Sequence, residues 1–473
     1  MKNKYLKRIL SAVLVGTMVL CLSACGNKEE KIVIEPMEKE EVHALSFDFI
    51  GGKDVMPISG YYGPTNRTYS FDGQSFPDYF TDEIFEMISG CGVNALHYSN
   101  TDWNTEKDSV IKMMELGEKH NVGIFVYDAY ITSPTPTSHV SLENMSERLT
   151  QYSDYPAYCG LYVIDEPGSK DYRPTADQMY DISTYAPVFQ NLRKLGVVGS
   201  GNLNPIMDAA DHDNYLKYVE EYCETCQPYY LSFDYYLWDS HRNRIGYFYN
   251  LDINRHYAEK YKIPLWCYIQ AGGQWNDGHS NMESVDLYPT DGQLHWNVNT
   301  ALAYGAKGIE YFTVIQPYWF AFVEQEANKF DFQRNGLIGA WGNKTQWWYY
   351  AKEANKQVAA VDAVLMNSVN KGVIATGEKA RKETQGCEFV MKDTSWRELE
   401  SVEGNTLIGC FNYQGKTALY VVNYEEEYAQ KVTLNLLDSY NLSVTQNAKL
   451  SRINTDKLEL DLKAGEGVLV VFD

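Results

Sequence analysis

The chain has little positive charge. Lys and Arg total 41 against 63 Asp and Glu, a formal charge of −22. Without the four leader cations Lys2, Lys4, Lys7 and Arg8 the charge becomes −26. A surface this acidic repels phosphate backbones and other polyanions, so nucleic acid is excluded as a partner and an uncharged ligand is expected. Cysteine is sparse and unpatterned. Beyond Cys21 and Cys25 near the start, seven are scattered through the chain, an odd set that makes no disulfide framework. Cys223-x-x-Cys226 is a close pair without a second ligand pair or a nearby histidine, so it reads as helix packing rather than zinc binding. His97, His139, His241 and His295 fall in different segments. No Gly-rich phosphate loop follows a first strand, and no Ser-His-Asp order stands out. Neither a metal nor a cofactor is implied.

Long apolar runs are also missing, apart from one at the start. Lys2, Lys4, Lys7 and Arg8 lead into the apolar run 9–22, which has the form of a targeting segment and is short for a membrane span. It ends in Leu22-Ser23-Ala24-Cys25-Gly26, which resembles a bacterial lipobox. The resemblance implies cleavage after residue 24 and a lipid on Cys25. Residues 1–24 are then a signal peptide and residues 25–44 an acidic tether. The expected location is the cell envelope, anchored by lipid and facing outward, with that anchor as the sole membrane contact.

From residue 45 the chain alternates strand-like and helix-like segments with short breaks, the pattern of a parallel α/β fold. Strands are expected over 54–61, 92–98, 122–127, 160–165, 196–201, 229–234, 263–270 and 308–314. Helices between them include 106–120, 176–195, 214–226, 253–261 and 293–304, and a last one spans 346–366. Eight of each over 45–366 favours a closed (β/α)8 TIM barrel over an open doubly wound sheet. After residue 367 the pattern becomes short alternating runs with turn residues between them, which predicts a small β-sandwich over 367–473.

The expected strand ends carry polar and aromatic residues together. They include Tyr62, His97, Tyr98, Asp128, Asn202, Asp234, Tyr236, Tyr268, Gln270, Trp275 and Tyr318. Strand four ends Ile164-Asp165-Glu166-Pro167, where Pro167 stops the sheet ladder and two carboxylates meet solvent. Hydroxyl partners combined with flat rings suit a sugar, so the rim is expected to bind a glycan.

Ile164-Asp165-Glu166-Pro167 resembles the Asn-Glu-Pro that ends strand four in clan A glycoside hydrolases, and 303–312 resembles a strand of family 42 β-galactosidases. The ending 464–470 is similar to the last strands of such enzymes' C-terminal domains. The resemblance implies a glycoside hydrolase in which Glu166 is the general acid/base. Asp165 replaces the family's Asn, and strand seven, Pro264-Leu265-Trp266-Cys267-Tyr268-Ile269-Gln270, offers no carboxylate where the family has its nucleophile. The adjacent Asp-Glu pair also resembles that of substrate-assisted hexosaminidases, in which the Asp orients the substrate's acetamido group. Asp234 or Asp128 acting through water is a second route. A third reading is a surface lipoprotein that binds glycans without cutting them.

Overall fold

A computed structural model describes residues 34–64, 69–71, 74–97, 107–127, 142–162, 212–238, 244–272, 288–316 and 336–473, with short pieces between 169 and 177. Among the described residues seven parallel strands build the first part: Ile58–Gly60, Ala95–His97, Gly123–Val126, Tyr158–Leu161, Leu231–Phe233, Leu265–Gln270 and Gly308–Phe312. They occupy barrel positions one to four and six to eight. Pairing runs two-three-four and six-seven-eight-one. Asn94 joins strands one and two: its backbone N–H donates to the Ile58 carbonyl at 2.9 Å, and its side-chain oxygen accepts from the Ile58 N–H at 2.8 Å. The ring is thus continuous from position six through eight and one to four. The fifth strand, expected over 196–201, and the helix expected over 176–195 lie outside the described residues.

The barrel interior is layered, as period-two alternation requires. At the N-terminal end of the strands, Ala95, Phe125, Cys159, Tyr230 and Trp266 form one cluster. Tyr230 stacks on Trp266 with ring centroids 4.4 Å apart. Gly308 makes room for the indole, because a Cβ there would lie 2.5 Å from its ring atoms. One step up is a polar layer in which Ser232 of strand six donates to the Glu310 carboxylate of strand eight at 2.7 Å. At the C-terminal end Tyr61, Tyr162 and Tyr268 close the core.

The enclosing helices follow their sequence signals. Thr290 and Gln293 form a reciprocal capping box that starts the helix Asp291–Ala303. The last helix, Gln346–Met366, has the expected bounds. The helix expected from 253 begins nine residues earlier, as Arg244–Tyr261. Its buried Asn250 and Asn254 break the apolar periodicity, but each side-chain amide donates to the carbonyl four residues back, at 2.8 Å. Cys223 and Cys226 are buried on the helix His212–Cys226, and burial pushes each thiol up to about 12.

Seven antiparallel strands form the C-terminal part. In space they run Ser368–Thr376, Thr406–Tyr413, Lys416–Asn423, Gly467–Phe472, Gln430–Gln446 and Leu399–Glu403, with Lys449–Leu462 paired to Gln430–Gln446. The long strand Gln430–Gln446 is irregular between Asn435 and Tyr440. Its first half pairs with Leu399–Glu403 and its second with Gly467–Phe472, so one strand serves both layers of the sandwich. Leu407, Phe411, Tyr420 and Leu469 face the barrel core. Ile408, Leu419, Val421 and Val470 face the second layer.

The region read as a tether is partly docked. Met37 N–H donates to the Gly415 carbonyl at 3.0 Å, and Asn412 donates to the Glu38 carbonyl at 2.7 Å. Further along, Leu45 and Phe47 pack under the barrel's lower aromatic layer, with the Phe47 ring 5.3 Å from Phe125. Residues 34–47 therefore strap the C-terminal sheet to the N-terminal mouth of the barrel. Among the described residues no helix is long and apolar enough to cross a membrane.

Candidate functional site

The C-terminal rim is built on the upper tyrosine layer. Tyr61 lies at its centre, with ring centroids 6.1 Å from Tyr162, 6.2 Å from Tyr268 and 5.9 Å from Phe312. Tyr62, Tyr127 and Phe312 pack above these rings and remain half-buried. Tyr236, just past strand six, sits 4.8 Å from Phe312 and is also half-buried. The arrangement is a buried aromatic floor with partly open rings on top, which can bury the apolar face of a ligand while phenolic hydroxyls meet its polar edge.

Strand six brings Asp234 to this end. Tyr230 and Ser232 face the interior, and the same alternation carries Asp234 inward at 5% exposure. Glu310 lies lower and is fully buried, beneath the floor formed by Tyr268 and Phe312. It therefore belongs to the packed interior rather than to the rim.

Gln270 departs from expectation. Its side-chain oxygen accepts from Trp238 N–H at 2.9 Å, and its nitrogen donates to the carbonyls of Trp238 at 3.2 Å and Gly272 at 2.9 Å. Its backbone N–H donates to the Asn297 side chain at 3.1 Å. With 1% exposure and both amide N–H groups engaged, Gln270 is a brace between the ends of strands six and seven and cannot act as a substrate ligand. Tyr268 is likewise floor rather than ligand surface, because its neighbours cover all but 4% of it.

Strand eight exits under a short turn. Gly336 N–H donates to the Ala271 carbonyl, and Ile338 pairs with Val314, so residues 336–345 lie across the tops of strands seven and eight. Gly336 has φ +72°, and a Cβ there would come within 2.9 Å of Gln316 N and Thr313 Oγ1.

Of the expected site residues, the structure brings together Tyr62, Asp234, Tyr236, Tyr268 and Gln270. His97 ends strand two. Cys25, Tyr98, Asp128, Asp165, Glu166, Asn202, Trp275 and Tyr318 lie outside the described residues. Tyr162 and Tyr127 join the aromatic layer without having been singled out. Tyr127 follows from alternation with Phe125. Tyr162 does not, because both Cys159 and Tyr162 face inward, an odd spacing. A register irregularity at Gly160, which has φ +143°, accounts for it.

No protein-family description matches the chain, and a search of curated proteins finds no relative. Several solved structures are similar to it. One is AmyP in complex with maltotriose, at 12% identity and TM-score 0.48, covering 89% of this chain and 97% of that one. Another is a catalytic mutant of a GH42 β-galactosidase from G. stearothermophilus, at 10% identity and TM-score 0.48, covering 91% and 100%. A third is a Thermotoga maritima α-fucosidase with a mechanism-based inhibitor, at 10% and 0.41, covering 84% and 81%.

Proposed function

We propose that the chain is an exported, lipid-anchored glycoside hydrolase that acts on a neutral terminal sugar at the C-terminal rim of its barrel. The observation that carries this reading is the convergence of Tyr61, Tyr62, Tyr162, Tyr236 and Tyr268 at that end, beside Asp234. Glu166 is the general acid that protonates the leaving oxygen, and Asp165 is its neighbour in sequence. Tyr62 and Tyr236 offer ring faces to the sugar. The acidic composition supports an uncharged substrate.

The constraint at strand seven shapes the mechanism. Gln270 is committed to Trp238 and Gly272, so among the described residues the end of strand seven offers no carboxylate as nucleophile. Two routes remain. In the first, the substrate's own acetamido oxygen attacks the anomeric carbon with Asp165 orienting it, while Glu166 gives its proton to the departing oxygen. In the second, Asp234 takes a proton from water as the water attacks, and the anomer inverts. Aryl β-N-acetylhexosaminides assayed beside aryl galactosides and glucosides separate the routes. Turnover confined to substrates without an acetamido group sinks the first, and a retained anomer in the first product seen by NMR sinks the second.

Glu166→Gln is expected to lower turnover by about 10²–10⁴. A second reading, glycan capture without cleavage, is favoured by the same uncharged residue, Gln270, at the end of strand seven. Under it no substrate is turned over, and Glu166→Gln leaves glycan affinity intact. The anchor is tested separately: Cys25→Ser should abolish labelling by a fatty acid and release the protein from the membrane fraction.

A further inference from the structure

A second concave site lies on the outer wall of the barrel, away from the rim's interior. It is a cavity of about 660 Å³, within the size range of small-ligand sites. Four segments line it. The helix Asp291–Ala303 contributes Asp291 and His295, and the helix Gln346–Met366 contributes Tyr349, Glu353 and Gln357. The hairpin turn at Asn447 and Ala448 and the turn 463–466 supply the opposite wall from the C-terminal sandwich. The start of the helix Asp291–Ala303 and the first half of the helix Gln346–Met366 take part. In a barrel each helix starts near the C-terminal ends of the strands, so the cavity opens toward the same end as the rim.

Three features limit what it can hold. Its charges balance, with Asp291, Glu353 and Glu466 facing Lys356, Lys449 and Lys463. A strongly anionic or cationic ligand would gain little there. Its polar groups include both donors and acceptors, among them Gln357 and Asn447, as a ligand rich in hydroxyls requires. It also has a fixed aromatic face. Tyr349 is 57% exposed, and its ring packs edge-on against Trp348 at 5.0 Å. Trp348 is itself held by a hydrogen bond to the Met87 carbonyl at 2.8 Å and by Lys344 over its ring at 4.0 Å. An exposed ring on so firm a base gives a stacking face at small entropic cost. The turn on the far wall is unusual too: Asn447 and Ala448 have φ of 49° and 55°. A two-residue hairpin turn of this kind normally takes Gly at its second position, so Ala448 holds a strained backbone at the cavity lip.

We infer that this groove is an accessory glycan site, in which a neutral oligosaccharide stacks on Tyr349 and spans the barrel and the sandwich beside the rim. The inference rests on the glycan reading of the rim and extends it. It gives a polymeric substrate a second hold on the protein, so it acts on the binding of long chains and leaves the chemistry at the rim unchanged.

The test uses the full chain with maltotriose, β-1,4-galactotriose and triacetylchitotriose as separate probes, read by hydrogen exchange and calorimetry. At least one probe should slow exchange in 445–450 and 463–466. Tyr349→Ala should weaken that protection at least tenfold in ligand concentration, and Gln357→Ala should weaken it further. Tyr349→Ala should leave turnover of a small aryl glycoside unchanged while raising KM for a long glycan several-fold. If no trisaccharide at tens of millimolar protects these turns, or if Tyr349→Ala changes neither protection nor KM, the groove is not a glycan site. Protection produced only by sulfated oligosaccharides or inorganic phosphate also overturns the proposal. The two readings fail separately. A protein that turns over no glycoside yet shows Tyr349-dependent protection keeps the groove and loses the hydrolase, and the reverse pattern loses the groove alone.

Discussion

Gln270 shows how one side chain can be legible in kind and misread in use. A glutamine at the end of strand seven is visible in the sequence as a polar group at a rim position. Its function in the fold depends on Trp238, thirty-two residues away, whose backbone N–H and carbonyl it binds. No local pattern reports such a pairing. Gln270→Leu would leave both Trp238 groups unmatched in a buried setting, a cost of about 1–3 kcal/mol. Urea unfolding should show that loss, and turnover should fall with it because residues 234–236 lose their brace. Asp362 offers a test in pH. Burial, with the nearby Asp54 charge adding to it, pushes this carboxyl up to about 6, against hydrogen bonds from the Met56 and Ala363 N–H groups. A raised folded value means that the folded chain keeps the proton after the unfolded chain has lost it. Its contribution is complete below the ordinary carboxylate range and is lost as pH climbs through about 6. The urea midpoint should therefore fall from pH 4 to 7 more steeply in the native chain than in Asp362→Asn.

At the scale of elements, the alternation of strands and helices was plain because each barrel strand is an apolar run between helical periods. Six of the seven described strands fall inside their expected bounds, and the fourth, Tyr158–Leu161, begins two residues before the expected 160. What escaped was parity. The irregularity at Gly160 adds a residue to strand four, and Tyr162 turns inward where simple alternation would turn it out. Strand Lys449–Leu462 escaped for a different reason. Its first half is exposed on both faces, Leu450 and Ile453 included, and these two apolar residues stand three apart, so it carries no period-two alternation to read. Strand eight gives the sharpest test of packing. Gly308→Ala would push a methyl to 2.5 Å from the Trp266 ring in the closed lower layer. Overpacking of this kind costs about 1–3 kcal/mol. The measurable sign is a lower melting temperature together with altered near-ultraviolet circular dichroism from the displaced indole.

In the whole molecule, barrel and sandwich meet through side chains that neither half would bury alone. Arg244 starts the helix Arg244–Tyr261, lies with its guanidinium 4.7 Å over the Trp296 ring, and pairs with Glu426 of the sandwich. Tyr420 donates to Asn299 at 2.7 Å, and Asn299 donates to the Gly465 carbonyl at 2.8 Å. Arg244→Ala would take the nearer partner from Glu426, which is 7% exposed and keeps Lys379 at 3.4 Å, so the loss should stay below that of a fully broken buried pair, about 3–5 kcal/mol. The expected result is an unfolding transition that splits in two as the sandwich uncouples from the barrel. A single sharp transition of unchanged midpoint would contradict it.

The strap at residues 34–47 also bears on how the chain acquires its shape. Glu38 and Asn412 are hydrogen-bonded across 374 positions of sequence. The residues made early in synthesis thus find their partners among those made late, and Phe47 belongs to a layer whose Tyr230 and Trp266 emerge far behind it. Contacts this distant close slowly, because a long loop must be ordered before they give any return. The strap is not complete until the sandwich strand Thr406–Tyr413 is in place. Refolding should accordingly end in a slow phase in which the Phe47 region gains protection last, and deletion of residues 34–47 should remove that phase and leave a faster-folding, less stable chain.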